Sequence, residues 1–377
     1  MAKILLFSDA KAFGGAEKYL VSLAKYINGK GYEVTVVFFS SNELSNIKNE
    51  FSSTGCNVVF DFSIKKFINF IFENINEKII LHANASWRNR FLIYILISRI
   101  FRINTVITEH TVPELLQPAK KFLGQFAFWR IKFFKRALLR KIEWFLVDRI
   151  IAVSPLVSQK LNRQRGLPSK KTKVIFNGID PEKFTPSPLR DSLDEALNDW
   201  HGVVIGSVGR LAPEKAYDRL VQVFSQIKRK DVALLLVGEG DSRAEIEKMA
   251  IKLGVKDRVF LVGHKSDVLP YLLKMDIFAL TSYYEAMPFC IIEAMSCKIP
   301  VVSVDVGGIS DIINHGENGY LVNSEEISSF TKYLEELVNN QGLRAELGSN
   351  ARLTVLRKFS EQVMLAQTLD CYLELIE

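Results

Sequence analysis

The chain has 377 residues, of which 48% are hydrophobic and 24% are charged, and its formal net charge at pH 7 is +7. This balance is typical of globular proteins and excludes a disordered or fibrous chain. The length predicts two domains. We expect neither an export signal nor a transmembrane helix, because the apolar run after Met1 is too short for the former and the run at 91–98 is far below the ~20 residues of a span.

The cysteines and histidines show no spacing that indicates disulfides or a metal site. No CxxC and no HxxxH pair occurs among Cys56, Cys290, Cys297, Cys371 and the five scattered histidines. Metal centres and disulfide frameworks both need such clusters. We therefore expect reduced thiols, a cytoplasmic location and no metal ion or other cofactor.

The first half of the chain predicts alternating strands and helices. "KILLFS" is an apolar run of strand length, and a loop with Gly14 and Gly15 follows it. The next segment has a helical period, and "EVTVVFF", "KIILHA", "NTVIT" and "RIIAVS" are further β-rich runs, most of them separated by helical segments. This alternation predicts a parallel sheet that is covered on both faces. The helical period is carried by Leu20, Leu23, Ala24 and Ile27.

The second half repeats this layout. "VVIGSVG" at 203–209 again runs into a glycine loop and a helix, and "VALLLVG", "RVFLVG", "DIFAL" and "PVVSV" follow as strands. The segment 177–202 is rich in proline and acidic residues, so we interpret it as a linker with a short helix. The sequence thus predicts an α/β protein with two Rossmann-like domains. They are an N-terminal domain at 1–185 and a C-terminal domain at 186–357, and a last helix at 358–377 can pack back on the first.

A basic and aromatic segment lies at 120–141. It contains eight Lys or Arg residues and no acidic one. A solvated helix face, an anionic membrane surface and a nucleic acid are three possible explanations. Lys132, Arg136 and Arg140 share a helical face, but Lys135 and Lys141 do not, so the amphipathic pattern is imperfect. We favour the membrane surface over the solvated face and expect no nucleic-acid partner.

The loop "GSVGRLAPEK" predicts an anion site in the second domain. It places Gly209, Arg210 and Lys215 between a strand and the following helix. Open parallel sheets bind ligands at this edge, and the cations suit a phosphate or pyrophosphate, though solvated surface charge is the alternative. The pair Gly14-Gly15 is a weaker signal of the same kind, since a tight turn explains it equally. No GxGxxG and no GxxxxGK[ST] occurs, so the dinucleotide and P-loop modes are excluded.

The stretch "YYEAMPFCIIEAM" holds two carboxylates, Glu285 and Glu293. Pro288 suits the first turn of a helix, so the N–H groups near Phe289 and Cys290 would lie between the two glutamates. A nucleotide sugar has a pyrophosphate between two sets of hydroxyls and fits this layout. A carboxylate near a helix start is mildly favourable by itself, which could explain Glu285. It does not explain Glu293 in an apolar helix, where an unpaired charge costs several kcal/mol.

At this point the sequence resembles a known family. "EAMPFCIIEA" resembles the E-x7-E motif of the retaining family 4 glycosyltransferases, whose fold is GT-B, with two Rossmann-like domains facing across a cleft. "FGGAEKYLVSLA", "VIFNGIDPEKF", "VGRLAPEK" and "GENGYLV" resemble other segments of that family, so the resemblance covers roughly 13 to 325. Two departures are Ala216 and Ala286, which stand where the family usually has glycine.

The resemblance implies roles for individual residues. Arg210 and Lys215 would stabilise the leaving diphosphate without a metal ion, Glu285 would hold the donor sugar and Glu293 the ribose. His264 would border the base. His110 would face the donor sugar from the first domain, with a hydrogen-bonded core histidine as the alternative. The further donor-binding positions are Gly14, Gly15, Gly209, Met287, Pro288, Phe289 and Cys290.

The predicted function is that of a retaining, metal-independent hexosyltransferase. The donor would be a nucleotide-diphosphate sugar, UDP favoured over GDP, and the acceptor a lipid-linked glycan of bacterial surface polysaccharide synthesis. We expect a cytoplasmic enzyme at the inner face of the membrane. Two alternatives stay open: a sugar-nucleotide epimerase, hydrolase or phosphorylase of the same fold, and a non-catalytic nucleotide-sugar-binding subunit of a membrane polysaccharide complex.

Overall fold

The structure is a computed structural model. The structure describes residues 2–8, 15–39, 51, 54–85, 91–110, 139, 142–165, 167–187, 200–324 and 326–377. The chain divides into unit 1, Met1–Asn177 with Gln362–Glu377, and unit 2, Gly178–Glu361. The unit boundaries therefore lie at 177/178 and 361/362, where the sequence placed them at 185/186 and 357/358.

Unit 1 contains a parallel sheet with the strand order β3-β2-β1-β4-β5-β6-β7. Its strands are β1 Lys3–Ser8, β2 Glu33–Phe38, β3 Asn57–Val59, β4 Ile79–Ala85, β5 Asn104–Glu109, β6 Arg149–Ala152 and β7 Thr172–Val174. Its helices are α1 Gly15–Gly29, α2 Ile64–Glu73, α3 Phe91–Ile100, α4 at 142–146, α5 Pro155–Arg165 and, from the end of the chain, α12 Glu361–Ile376.

Unit 2 contains a second parallel sheet with the order β10-β9-β8-β11-β12-β13. Its strands are β8 Val203–Val208, β9 Val232–Val237, β10 Val259–Leu261, β11 Ile277–Leu280, β12 Val301–Val304 and β13 Tyr320–Val322. Its helices are α6 Tyr217–Ser225, α7 Arg243–Lys252, α8 Leu269–Lys274, α9 Phe289–Ser296, α10 Ile327–Asn339 and α11 Gln341–Lys358. The predicted α/β class with two Rossmann-like domains is confirmed.

The core of unit 1 joins the first and the last helix of the chain. All four residues of the predicted α1 stripe, Leu20, Leu23, Ala24 and Ile27, are fully buried. Met364, Leu365 and Tyr372 of α12 belong to the same buried cluster. The C-terminal helix therefore completes the core of unit 1, although its sequence follows unit 2.

Three strands were not predicted from the sequence, and all three lie at sheet edges. They are β3, β7 and β13, each three residues long. An edge strand pairs on one side only and buries less of its surface, so a run this short shows no clear apolar pattern.

Some predictions fall on residues outside the described ranges. Apart from Leu139, the basic segment 120–141 lies outside them, as do Gly14 and most of the helix predicted within the linker. Within the described ranges, no helix combines the length and the apolar character that a membrane crossing requires.

Candidate functional site

The candidate donor site of unit 2 lies where two neighbouring strands end. β8 and β11 are adjacent in the sheet, but their connections leave in opposite directions, because β9 lies beyond β8 and β12 beyond β11. Such a switch point leaves a crevice at the carboxyl ends of the strands, and open α/β sheets bind ligands there. The loop with Arg210 and Lys215 follows β8, and the loop with Glu285 follows β11.

An ion pair joins these two loops. Lys215 Nζ lies 2.5 Å from Glu285 Oε1, and Ser282 Oγ donates to the same oxygen at 2.8 Å. Both charged side chains are largely shielded, with 20% and 10% of their surface exposed. Burial works against the charge of Lys215, but Glu285, with contributions from Cys290 and Glu214, outweighs burial, and the pKa of the ammonium group is raised. The pairing therefore keeps the ammonium group of Lys215 charged and fixed in position at the switch point.

Arg210 occupies a different environment in the same loop. Its guanidinium contacts the Glu214 carboxylate, and 71% of the side chain is exposed. An exposed ion pair contributes little to stability, so exchanging Glu214 for a bound anion would cost little. The next residues, Pro213–Lys215, form one turn of 3₁₀ helix, and the Thr281 hydroxyl at the end of β11 donates to Ala216 O at 2.9 Å. This bond fastens the two loops together.

α9 begins beside the ion pair. Pro288 precedes the helix as its N-cap, with extended backbone and no capping side-chain hydrogen bond, so the prediction that it occupies the first turn was wrong by one residue. Pro288 has φ −76° and ψ 121°, so its ψ is extended and the first residue with helical geometry is Phe289. With no side chain capping them, the first N–H groups of α9 can serve an anion. Met287 and Pro288 are buried, whereas Phe289 and Cys290 are partly exposed at the helix start.

Glu293 and Cys290 lie on the first turns of α9. Glu293 is buried at 4% exposure, as its apolar neighbours predict. Burial raises the pKa of the Cys290 thiol to about 12, and the two glutamates add to this shift. Cys290 is therefore a neutral thiol at physiological pH and not a nucleophile.

Two further features of this site were not predicted from the sequence. A Cβ atom on Gly307 would lie 1.5 Å from the Glu285 carbonyl oxygen, so only glycine allows the loop after β12 to reach Glu285. The hydroxyls of Tyr217 and Ser207 lie close to each other in the interior, and neither has a hydrogen bond of good geometry. Tyr217 is the first residue of α6 and directly follows the loop of Lys215. The sequence could have indicated it, because its hydroxyl is the polar group at the start of an otherwise apolar helix face.

In unit 1, His110 lies at the end of β5 and is hydrogen bonded to Asn84. The distance from His110 Nε2 to Asn84 Oδ1 is 2.6 Å, and because an amide oxygen only accepts, Nε2 carries the proton. Burial lowers the pKa of His110 to about 4, so the ring is neutral. The edge of the Tyr19 ring packs against His110, with centroids 5.7 Å apart.

A second histidine, His82, lies beside His110 and is fully buried, and no role was predicted for it from the sequence. His82 Nε2 pairs with Thr108 Oγ1 at 2.7 Å, and its Nδ1 pairs with the Tyr372 hydroxyl of α12. Burial, with a contribution from His110, lowers the pKa of His82 to about 3. This neutral network connects α12 to the strand ends that carry His110.

The structure thus brings together part of the predicted site. The residues gathered at the switch point of unit 2 are Gly209, Arg210, Lys215, Glu285, Met287, Pro288, Phe289, Cys290 and Glu293. His264 is exposed after β10 of the same unit, and Gly15 is the first residue of α1 in unit 1. Across the described ranges, no three His, Cys, Asp or Glu side chains are grouped to hold a metal ion. The individual roles and the metal independence stay predictions.

Two family models match the chain one after the other. Residues 13–183 match the model described as Glycosyltransferase Family 4, and residues 195–354 match the model described as Glycosyl transferases group 1. The first range contains β2 to β7 of unit 1, and the second contains all six strands of the unit 2 sheet.

Characterised relatives carry similar sequences. The capsular polysaccharide biosynthesis glycosyltransferase CapM of Staphylococcus aureus is 31% identical over 62% of this chain and 63% of its own length. A poly(ribitol-phosphate) alpha-N-acetylglucosaminyltransferase of the same species is 34% identical over 45% of this chain, and the match spans only 35% of that relative. A third relative, from Campylobacter jejuni, is 25% identical over 93% of this chain and 94% of its own length. It is the N-acetylgalactosamine-N,N'-diacetylbacillosaminyl-diphospho-undecaprenol 4-alpha-N-acetylgalactosaminyltransferase. The chain thus spans less than two thirds of the first two relatives.

Solved structures share the fold over the whole chain. Anabaena HepE in complex with UDP and glucose matches with a TM-score of 0.81 and 23% identity, over 99% of both chains. A glycosyltransferase from Rickettsia africae matches with a TM-score of 0.80 and 21% identity, over 100% of this chain and 99% of that one. At these identities the likeness establishes the fold, and the two family models together cover most of the sequence. The chain therefore belongs to the family 4-type glycosyltransferases of the GT-B fold.

Proposed function

We propose that the protein transfers a hexosyl unit from a UDP-sugar to a glycan acceptor, with retention of configuration and without a metal ion. The observation that supports this most is the shielded pair of Lys215 and Glu285 at the switch point of unit 2. A buried pair of charges is seldom better for stability than an apolar pair of the same shape. A ligand that uses both the cation and the carboxylate is the better explanation.

The donor is assigned to unit 2. Its diphosphate contacts Arg210, Lys215 and the first N–H groups of α9. The ribose hydroxyls bind Glu293, the sugar hydroxyls bind Glu285, and the base lies near His264. Carboxylates accept hydrogen bonds from diols, while Arg and Lys favour phosphate oxygens.

The chemical step depends on electrostatic stabilisation. The bond between the sugar C1 and the diphosphate oxygen breaks, and its electron pair leaves with the phosphate. Arg210 and Lys215 stabilise the charge that develops there, and Glu285 holds Lys215 in place before the reaction begins. The acceptor hydroxyl attacks C1 from the face of the leaving group and gives its proton to a phosphate oxygen. No side chain is assigned as a covalent nucleophile.

His110 of unit 1 is proposed to contact the donor sugar as a neutral group. Its Nε2–H is used by Asn84, so Nδ1 has a lone pair that accepts from a sugar hydroxyl. A neutral ring suits this role, because a positive imidazolium would have no lone pair to accept with. The lowered pKa of His110 keeps the ring in this form at physiological pH.

The choice of donor and acceptor rests on the relatives. HepE was solved with UDP, and the Campylobacter jejuni relative acts on a diphospho-undecaprenol-linked saccharide by its name. CapM belongs to capsular polysaccharide synthesis. We infer a lipid-linked glycan of bacterial surface polysaccharide synthesis as the acceptor. The cytoplasmic location and the contact of segment 120–141 with the membrane stay predictions.

Nucleotide binding tests the donor site directly. UDP, GDP, ADP and dTDP are added separately, and the melting temperature is measured for wild type, Glu293→Gln and the control Glu245→Gln, an exposed glutamate of α7. Saturation at ~100 times the dissociation constant stabilises the folded state by about 2.7 kcal/mol. We expect UDP alone to stabilise wild type and the control, with a much smaller shift in Glu293→Gln. A response equal in all three proteins would contradict the assignment of Glu293.

Product analysis distinguishes transfer from the alternative reactions. The protein is incubated with UDP-sugar, with and without a lipid-linked glycan. Transferase activity requires that UDP release depends on the acceptor and that the glycan gains one sugar in mass. Release of UDP at the same rate without the acceptor would indicate a hydrolase, and binding without turnover would indicate a non-catalytic subunit.

A further inference from the structure

The structure joins to each other two groups that the proposed function assigns to different parts of the donor. The ammonium group of Lys215, assigned to the diphosphate, contacts the carboxylate of Glu285, assigned to the sugar. The Ser282 hydroxyl donates to the same carboxylate oxygen, Oε1. A ligand that draws on either charged group therefore competes with a contact that already exists.

The shielding of this pair makes the competition costly. Both charged side chains are at least four fifths shielded from solvent. Removing one partner of a shielded ion pair leaves a charge that water compensates poorly, and the penalty is much larger than the stability that an exposed pair contributes. Glu285 therefore loses its share of Lys215 at little cost only if another hydrogen-bond donor takes the place of the ammonium group.

Glu285 is held so that such a donor has to come to it. Its carbonyl oxygen accepts from the Gly308 N–H at 3.3 Å, and a Cβ atom on Gly307 would lie 1.5 Å from that oxygen. The Ser282 hydroxyl that holds its carboxylate belongs to a fully buried residue. With the backbone and the carboxylate both fastened, the side chain stays beside Lys215 when a ligand binds.

The substrate and the product of the proposed reaction differ in what they offer to Glu285. UDP carries a diphosphate, which accepts hydrogen bonds from an ammonium group but repels a carboxylate. A UDP-sugar carries the same diphosphate and adds sugar hydroxyls, which donate to a carboxylate. The intact donor thus supplies a new contact to both members of the pair, whereas UDP supplies one to Lys215 alone.

We propose that the ion pair of Lys215 and Glu285 discriminates between the intact donor and the nucleotide product. Glu285 opposes the binding of UDP and favours that of the UDP-sugar, and Ser282 is the positioning residue that keeps the carboxylate in place. Once the sugar has been transferred, UDP leaves readily, a step that limits turnover in many enzymes. This inference rests on the proposed function, because it needs the diphosphate at Lys215 and the sugar at Glu285.

The neighbouring pair of Arg210 and Glu214 provides a matched comparison. It also joins a proposed diphosphate ligand to a carboxylate, but the Arg210 side chain is 71% exposed and that of Glu214 is 23% exposed. Water compensates the groups of an exposed pair when they separate, so this pair should oppose UDP only weakly. The two glutamates thus separate the effect of a shielded pair from that of any negative charge near the diphosphate.

The first test measures UDP binding by isothermal titration calorimetry. Glu285→Gln and Glu214→Gln each remove one negative charge and keep the size of the side chain. We expect Glu285→Gln to bind UDP about tenfold more tightly than wild type, which corresponds to ~1.4 kcal/mol. Glu214→Gln should gain about twofold or less.

The second test titrates UDP-glucose, UDP-galactose and UDP-N-acetylglucosamine. Wild type should bind at least one of them more tightly than UDP, and Glu285→Gln should lose that preference. Ser282→Ala should weaken the binding of the preferred UDP-hexose and leave the affinity for UDP within about twofold, because the carboxylate keeps its charge but not its alignment. General damage to the fold would weaken the binding of both ligands.

Several outcomes would overturn the proposal. They are UDP binding by Glu285→Gln that is no tighter than that of wild type, a gain no larger than that of Glu214→Gln, and a wild type that prefers UDP to all three UDP-hexoses. An equal gain of Glu285→Gln for UDP and for every UDP-hexose would likewise contradict it, since the sugar would then have no part in replacing Lys215. Absence of UDP binding in wild type and in both glutamine variants would instead contradict the proposed donor site itself.

Discussion

The two units place polar clusters at the same kind of position, the carboxyl ends of parallel strands, but the clusters differ in charge. In unit 2, Lys215 and Glu285 form a shielded ion pair and Arg210 stands beside it. In unit 1, His82 and His110 are neutral, and both pair with uncharged partners. The former arrangement suits an anion that gains charge in the reaction, and in the latter the neutral ring of His110 suits a sugar hydroxyl.

The same contrast is found in how each unit fastens a late helix. Arg352 of α11 donates to Ser296 O at 2.6 Å and to Phe184 O at 3.0 Å, so a cation joins α11 to the end of α9 and to the segment after the unit boundary. Tyr372 of α12 instead meets neutral His82. Unit 2 thus fastens its late helix with a charged group and unit 1 with neutral ones, which predicts different responses to mutation and to pH.

The largest expected effect is that of Lys215→Ala on catalysis. The change removes the fixed cation and leaves Glu285 without its partner, so we expect kcat to fall by about 10²–10³, as for the loss of one preorganised group that stabilises charge. The control is Lys252→Ala, an exposed lysine at the end of α7. Steady-state release of UDP measures the rate. Each tenfold change in kcat corresponds to ~1.4 kcal/mol of activation free energy. A kcat within about twofold of wild type would therefore show that Lys215 contributes almost nothing to the chemical step.

Arg352→Ala should have the largest effect on stability. It removes hydrogen bonds from a guanidinium to several carbonyl oxygens at once, and bonds of this charged type contribute about 1.5–3 kcal/mol each in favourable cases. We expect the unfolding free energy of unit 2 to fall by about 3 kcal/mol. Arg357→Ala, on the exposed side of the same helix, is the control. Urea unfolding measures the free energy of unfolding of both variants. An equal decrease in both would show that the hydrogen bonds of Arg352 do not contribute specially to the stability of unit 2.

Acid should destabilise unit 1 before unit 2. An unfolded histidine has a pKa near 6.5, whereas the folded values are about 3 for His82 and about 4 for His110. The unfolded chain therefore binds more protons below pH ~6.5, so this stability is complete above that pH and is lost as the pH falls towards the folded values. For His82 the loss is about 1.4 kcal/mol per pH unit within that window.

Pulsed proteolysis at pH values from 7 to about 5, read by mass spectrometry, shows which unit unfolds first. The remaining histidines, His201, His264 and His315, are exposed and lie in unit 2. His82→Asn should flatten the pH dependence of unit 1, and His315→Asn should leave it unchanged. If both units unfold over the same pH range, the buried neutral histidines do not make unit 1 more sensitive to acid than unit 2, and the prediction is wrong.

Much of this contrast could not be predicted from the sequence. The sequence indicated Lys215 and Glu285 individually, but assigned one to the diphosphate and the other to the sugar. Their ion pair joins residues 70 positions apart and depends on the adjacency of β8 and β11, which no local pattern encodes. His82 lies within the apolar run "KIILHA", where a buried hydrogen-bonded histidine and a solvent-facing one have the same pattern.

The central strands were predictable because they are long and apolar, and Glu293 was predictable because its neighbours leave it no exposed position. Pro288 was placed one residue too far into its helix, since the proline ring fits both the N-cap and the first turn. Segment 120–141 shows the limit of composition, because its charge indicates a surface contact but does not identify the partner.

The smallest expected effect concerns Ala216, which joins the Lys215 turn to α6. The sequence shows alanine where the family usually has glycine, and Ala216 has φ 50° and ψ 46°, the left-handed region. This conformation costs a residue with a Cβ about 1–2 kcal/mol, which the greater freedom of unfolded glycine partly offsets. Ala216→Gly should therefore stabilise unit 2 by about 0.5–1 kcal/mol and raise its melting temperature by a few degrees.

Lys298→Gly is the matched control for this change. Lys298 also has a positive φ, 60°, but its side chain is exposed, whereas Ala216 is 1% exposed. If both variants are stabilised, backbone strain alone accounts for the gain. If only Lys298→Gly is stabilised, the buried methyl group of Ala216 offsets the strain by packing, and a lower kcat for Ala216→Gly would then indicate that this methyl helps to hold Lys215 against Glu285.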